Sequence, residues 1–284
     1  MSTLRVAVPN KGSLSSAVTE MLSEAGYRQR RDSRELALTD PENDVEFFYL
    51  RPRDIAVYVG RGVLDLGITG RDLMMDADVD DAVEELMPLG IGASTFRIAG
   101  PRGVFSDFSQ LNGKRIATSY RVLVDHYLQE HGIDAETVRL DGAIETSIRL
   151  GVADAVADVV ETGSTMRAAG LEPFGPELMK SEAVLIGRKN HHPKAEGTLV
   201  RRLRGVIVAR QYAMLDYDIP KTLVDEAMRL TPGLESPTIS PLADPDWVAV
   251  RAMVNENQVN RVMDELYDVG ARAILVTPIN ACRL

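Results

Sequence analysis

The chain has 284 residues, with 32 Lys and Arg against 42 Asp and Glu for a net charge of −10, and 45% hydrophobic and 26% charged residues. Such a chain has the balance of a water-soluble globular protein and the length for two or three domains. The acidic sum argues against a nucleic-acid partner, no run of about 18 apolar residues is present to span a bilayer, and residues 1–9 are too short an apolar stretch for a signal peptide.

In chain order, Leu4-Arg5-Val6-Ala7-Val8 reads as a strand and Pro9-Asn10-Lys11-Gly12-Ser13 as a loop. Ser13 is the expected cap of a helix running to about Ala25 and ended by Gly26. Residues 45–50 (VEFFYL) form a second strand, Asp54 caps the helix IAVYVGRG, and VLDLGIT at 63–69 is a buried strand. The alternation predicts α/β layers with a largely parallel sheet. The plan then repeats: a strand at 114–118, a helix at 121–131 ended by Gly132, a strand at 137–140, a helix through Leu150, and a strand containing Asp158. Gly62-Val63-Leu64-Asp65-Leu66 matches Gly151-Val152-Ala153-Asp154-Ala155, a weak sign of internal duplication into two facing lobes. A cleft between such lobes suits a polar small ligand.

The chain returns to the first lobe through Ala183-Val184-Leu185-Ile186. An amphipathic helix follows near 195–211, with Leu199, Leu203, Val206 and Ile207 at helical spacing. The remaining segments read strand (212–218), helix (220–231), strand (236–241), strand (246–254), helix (255–269), strand (272–278). That βαββαβ order is the ferredoxin-like plan, with Asp244-Pro245-Asp246 as its hairpin turn. The expected division is 1–93 with 184–211 as one lobe, 94–183 as a second, and 212–284 as a separate domain for oligomerisation or ligand sensing. The single cysteine, Cys282, makes no internal disulfide, and a reducing cytoplasm is the expected compartment. The four histidines show no metal-ligand spacing.

Residues 154–165, DAVADVVETGST, carry the most chemistry. An apolar strand holding Asp158 breaks into Glu161-Thr162-Gly163-Ser164-Thr165, a loop of small and hydroxyl-bearing residues before a short helix. Backbone N–H groups, hydroxyls and a helix N-terminus suit a phosphate, and carboxylates at the strand end suit ribose hydroxyls or a diphosphate-held metal ion. The other reading of this string is a plain helix start capped by Thr162 or Ser164.

Beyond that loop, RVAVPNKGSL, GVLDLGITGRD, LDGAIETSIRLGVADAVADVVETGST and PGLESPTISPL run from one end of the chain to the other. With these segments the chain resembles the ATP phosphoribosyltransferase family, in its long form with a C-terminal regulatory domain. The resemblance implies two α/β lobes like those of periplasmic binding proteins plus a ferredoxin-like regulatory domain. It implies transfer of the 5-phosphoribosyl group of PRPP to N1 of the adenine of ATP, with Mg2+, as the first step of histidine biosynthesis. It further implies feedback inhibition by L-histidine and a homo-oligomer, dimeric or hexameric. Carried over by position, Glu161, Thr162, Gly163, Ser164 and Thr165 would bind the 5′-phosphate of PRPP. Glu145 and Asp158 would meet the ribose hydroxyls with Mg2+ nearby, and Asp154 would join the PRPP site or else serve as a structural turn carboxylate. Lys11, Arg51, Asp72 and Tyr120 fall on the ATP side, and Asp218, Leu234, Ser236, Thr238 and Ala273 where histidine would bind. The rival expectation is a two-lobed solute-binding or sensing protein.

Overall fold

The computed structural model describes residues 3–160 and 163–283. Its strands and helices run β1 (Leu4–Pro9), α1 (Ser13–Glu24), β2 (Ala37–Asp40), β3 (Val45–Leu50), α2 (Pro52–Gly60), β4 (Leu66–Gly70), α3 (Arg71–Asp76) and β5 (Val83–Pro88). Then come β6 (Ser94–Pro101), β7 (Arg115–Thr118), α4 (Arg121–Glu130), β8 (Glu136–Arg139), α5 (Thr146–Arg149), β9 (Ala155–Val160) and α6 (Ser164–Ala168). They continue through β10 (Leu171–Pro173), β11 (Met179–Ser181), β12 (Ala183–Arg188) and α7 (Lys194–Gln211). The last are β13 (Tyr212–Pro220), α8 (Val224–Leu230), β14 (Thr238–Pro241), β15 (Trp247–Asn255), α9 (Val259–Val269) and β16 (Arg272–Pro278). The chain divides into two compact units, Met1–Glu20 with Tyr27–Gly197, and Met21–Gly26 with Thr198–Leu284.

The first unit holds two sheets, ordered β2-β3-β1-β4-β12-β5 and β10-β6-β9-β7-β8, with β11 also on β6. The expected largely parallel sheet is corrected here. Only β3, β1 and β4 in one sheet, and β8, β7 and β9 in the other, pair in parallel. Strand β12 runs antiparallel to β4 and β5, and β6 runs antiparallel to β9. The reason is connectivity. These two strands each enter a lobe from the other one, so no helical crossover returns them in the parallel sense.

The two sheets share one arrangement, β3-β1-β4-β12 in the first and β8-β7-β9-β6 in the second. The repeated sequence string lies at the same place in both. The Asp65 carboxylate accepts from the Arg5 backbone N–H at 2.8 Å, and the Asp154 carboxylate from that of Arg115 at 2.9 Å. Each arginine side chain also donates to a carbonyl of the string, Arg5 to Val63 at 2.8 Å and Arg115 to Gly151 at 2.9 Å.

Helix α2 begins at Pro52, whose missing N–H costs nothing in a first turn, and Arg51 takes the cap position. Asp54 therefore sits inside the first turn and is not the cap. Its buried face, Ile55, Ala56 and Val59, packs with Ala7, Val184 and Ile186. Gly67 permits this close approach, since a β-carbon there would lie 2.5 Å from Ile55 Cγ2. Two further spans are shorter than the periodicity implied. Residues 63–65 are a bend, with the strand confined to Leu66–Gly70, and the helix before Leu150 is the single turn Thr146–Arg149.

In the second unit the sheet is antiparallel, ordered β14-β15-β13-β16, as the βαββαβ order implies. Alternate residues of β13 (Ala213, Leu215, Tyr217, Ile219) and of β15 (Val248, Val250, Val254) form its core with Ala227 of α8 and Val259, Val262 and Leu266 of α9. The Asp244 turn closes through its carbonyl to the Trp247 N–H at 3.2 Å and its carboxylate to the Asp246 N–H at 3.0 Å. Among the described residues no helix is long and apolar enough to cross a membrane.

Candidate active site

Strand β9 is buried over Ala155, Val156 and Ala157 and emerges at Asp158. At its far end Gly163 takes φ +69°, a left-handed conformation in which a side chain would be strained, and α6 starts immediately after it. Glu161 and Thr162, expected in the phosphate loop, lie outside the described residues. Glu145, Asp158, Val159, Val160, Gly163, Ser164, Thr165 and Met166 line one cavity of about 340 Å3. Residues far apart in sequence thus share one small polar volume. Glu145 reaches it from a backbone held left-handed at Gly142 (φ +84°) and Ala143 (φ +48°), directly before α5.

In this volume Asp158 sits near other carboxylates. Its carboxyl is pushed up to about 6, first by burial and then by the neighbouring Glu145 and Asp72 carboxylates. The Val159 N–H, which donates to Asp158 at 2.8 Å, and the Arg53 guanidinium oppose that rise.

A second cavity of about 210 Å3 is lined from both lobes, by Lys11, Gly12, Pro52 and Asp72 on one side, by Ser94, Ser181 and Glu182 where the chain crosses, and by Val159. Val159 lines both cavities. Asp72 is buried in the first turn of α3. The Ser181 hydroxyl donates to its carboxylate at 2.6 Å, and the Asp72 N–H donates to the Ser181 oxygen at 3.1 Å. The Tyr120 hydroxyl is close to Asp72, and burial together with the Asp72 and Asp158 charges drives its pKa upward. The Tyr120 ring meets Phe96 edge-on at 5.1 Å, and the Arg53 guanidinium lies 4.9 Å over it.

Of the residues expected from sequence, Glu145, Asp158, Gly163, Ser164 and Thr165 come together in the first cavity, and Lys11 and Asp72 in the second. Tyr120 joins them through Asp72. Arg51 is exposed at the α2 cap position and lines neither of these cavities. Asp154 lines neither cavity. It precedes β9, a strand of about 20 Å, at the end opposite the Gly163 turn, and Arg115 occupies its carboxylate. Its twin Asp65 does the same in the other lobe. Sequence reasoning missed Arg53 and Ser181. Ser181 meets Asp72 across 109 positions, which no local pattern signals.

In the second unit Asp218 lies on β13, on the sheet face opposite the buried Tyr217 and Ile219. The β13–β16 register shifts beside it, from Asp216↔Leu275 to Asp218↔Arg272. Ala273 falls within that irregularity and takes φ +50°, rare for a residue with a β-carbon. Leu234, Ser236 and Thr238 are exposed, with Thr238 paired to Arg251 across β15. Of the expected effector residues in strands, Asp218 on β13 and Ala273 on β16 lie on one side of β15 and Thr238 on β14 lies on the other.

Comparison with known proteins places the chain in a family. Residues 51–205 match the family model "ATP phosphoribosyltransferase", and residues 209–281 match "HisG, C-terminal domain". A protein named ATP phosphoribosyltransferase from Pseudarthrobacter chlorophenolicus is 67% identical over 99% of this chain and 100% of its own length. One of the same name from Streptomyces coelicolor is 56% identical with the same coverage. A solved ATP phosphoribosyl transferase (HisG:HisZ) complex from Thermotoga maritima is similar with a TM-score of 0.62 and 25% identity, over 72% of this chain and 98% of that one. The chain belongs to the ATP phosphoribosyltransferase family, in the long form that carries a C-terminal domain.

Proposed function

We propose that the two cavities hold PRPP and ATP, and that the protein transfers the 5-phosphoribosyl group of PRPP to N1 of the ATP adenine, the first step of histidine biosynthesis. The observation that carries this reading is the cavity where Asp158, Glu145 and the Gly163-Ser164-Thr165 turn converge. In the reaction the adenine N1 lone pair forms a bond to the anomeric carbon as its bond to diphosphate breaks. The ribosyl carbon develops cationic character on the way. Such chemistry needs alignment and charge stabilisation rather than a protein nucleophile.

Each residue then has a task. The Gly163 turn, with Ser164 and Thr165, receives the 5′-phosphate, and Glu161 and Thr162 complete that loop. Glu145 and Asp158 hold the ribose hydroxyls and place negative charge beside the developing cation. Lys11 reaches the phosphate groups, while Arg51, Asp72 and Tyr120 form the nucleotide side. Mg2+ fits beside Asp158, whose charge is crowded by two other carboxylates. The ion is held mainly by the substrate diphosphate. When bound, it neutralises the departing diphosphate.

The same reading divides the chain into lobes 1–93 with 184–211 and 94–183, and a regulatory domain 212–284. L-histidine binds this last domain at Asp218, Leu234, Ser236, Thr238 and Ala273 and inhibits the enzyme. The protein acts in the cytoplasm as a homodimer or hexamer. Full-length relatives named as transferases displace the rival reading of a solute-binding or sensing protein. The test is a mixture of purified protein, PRPP, ATP and Mg2+, with and without histidine. Formation of N1-phosphoribosyl-ATP and diphosphate, suppressed by histidine, is the expected result; no diphosphate release would overturn the reading.

A further inference from the structure

Helix α4 is preceded by Tyr120, which occupies the cap position yet offers no side-chain cap. The donors such a cap would satisfy are the N–H groups of the second and third helical residues, Val122 and Leu123. Both donate instead to Asp76 Oδ1, at 3.0 and 3.3 Å. Asp76 closes helix α3 of the other lobe, 46 positions away from Val122. Its second oxygen accepts from Arg53 at 2.6 Å, and its side chain is only 8% exposed. Asp72 and Asp76 are four apart and so lie on one face of α3. Asp72 lies close to the Tyr120 hydroxyl while Asp76 bonds the backbone just after Tyr120. Arg53, paired to Asp76, lies over the Tyr120 ring.

We propose that Asp76 is a positioning residue, a carboxylate of one lobe that caps helix α4 of the other and thereby holds Tyr120 in place for the nucleotide. The inference rests on the reading of Tyr120 and Asp72 as nucleotide contacts. It assigns α3 the task of gripping Tyr120 at two points, and it makes the α4 cap dependent on the two lobes standing together. A helix capped from its own sequence would carry no such dependence.

The experiment uses the full-length protein and two variants. Asp76→Ala removes both the cap and the ion pair. Asp76→Asn keeps an Oδ1 acceptor for the two N–H groups and replaces the oxygen that accepts from Arg53 with an NH2 donor, so it loses the ion pair and its hydrogen bond but not the cap. Backbone hydrogen exchange at Val122 and Leu123 is read alongside KM and kcat for each substrate. In Asp76→Ala, exchange at those two amides should quicken at least tenfold and KM for ATP rise at least tenfold. Its kcat and KM for PRPP should stay within about threefold. Asp76→Asn should restore most of both losses. Unchanged exchange and KM in Asp76→Ala overturn the proposal. So does a loss of stability with unaltered KM values, or an Asn variant as impaired as the Ala variant. Tyr120→Ala is the control for the underlying reading. If it leaves KM for ATP unchanged while exchange still quickens in Asp76→Ala, the nucleotide assignment falls and the inter-lobe cap stands.

Discussion

Asp158 owes its chemistry to its surroundings. A carboxyl pushed up to about 6 is ionised near neutral pH but at a cost, because burial and two other carboxylates disfavour its charge. If that charge faces the ribosyl cation, kcat/KM for PRPP should climb as pH rises through about 6 and then level off. Asp158→Asn should flatten that limb and reduce turnover more than about tenfold, near 1.4 kcal/mol of transition-state stabilisation. A pH–rate profile of both proteins decides it, and a normal rate in a folded Asn variant would remove the role. Stability should move the opposite way. The folded pKa lies above the ordinary value of about 3.9, so the folded state binds more protons between those values. Stability is therefore lost as pH rises through that window. Asp158→Asn, which carries no charge to bury, should melt higher than the parent at pH 7 and no higher at pH 4. Thermal melts at the two pH values test this exchange of stability for function.

At the scale of elements, two glycines mark where backbone must come close or turn. Gly163 joins β9 to α6 with φ +69°, and a β-carbon would also lie 3.1 Å from Arg167 Nη1. Gly163→Val should weaken PRPP binding by more than it weakens ATP binding, because a β-branched residue both resists the left-handed turn and crowds the phosphate position. Separate titrations with each substrate would show it, and intact PRPP affinity would end the loop assignment. Gly67 plays a packing part only. Gly67→Ala would drive a β-carbon against Ile55 and Val59 of α2. A loss of about 1–3 kcal/mol is expected on denaturant unfolding, as in other overpacked cores. A change under about 0.5 kcal/mol would mean that α2 shifts freely away from β4.

For the whole molecule, the proposed effector residues and the phosphoribosyl turn belong to different compact units. Inhibition by histidine should therefore be separable from catalysis. Asp218 is half-buried beside the irregularity that holds Ala273 left-handed, and such backbone is found where a ligand or a switch requires it. If the Asp218 carboxylate binds the cationic group of histidine, Asp218→Ala should lose a bond worth about 1.5–3 kcal/mol. The inhibition constant should then rise at least about tenfold with uninhibited activity little changed. Inhibition curves of the purified variant supply the measurement. An unmoved curve would take Asp218 out of the effector site, and a matching fall in basal rate would make it a structural residue.

Much of this was legible in the linear chain because it depends on local patterns. The strand at β1, the helix α4, the run into Asp158 and the βαββαβ order follow from apolar periodicity, glycine stops and turn residues, which act within a few positions. The repeated Gly-Val-x-Asp string correctly pointed to two lobes built alike. Strands β2, β5 and β6 escaped that reading because each is defined by its pairing partners, and pairing is a long-range property. The same limit governs the site. Residue type and spacing marked Glu145, Asp158 and the Gly163 turn, but the raised pKa of Asp158 depends on Asp72 and Glu145 arriving from elsewhere in the chain. Asp154 was marked by position, and only the fold showed that it precedes β9 at the end opposite the Gly163 turn, while Ser181 and Asp76 carried no signal at all. Local propensity and periodicity are properties of neighbouring residues, which the sequence alone determines. Charge crowding, desolvation and a cap donated from another lobe are properties of groups brought together by folding, and only the tertiary structure decides them.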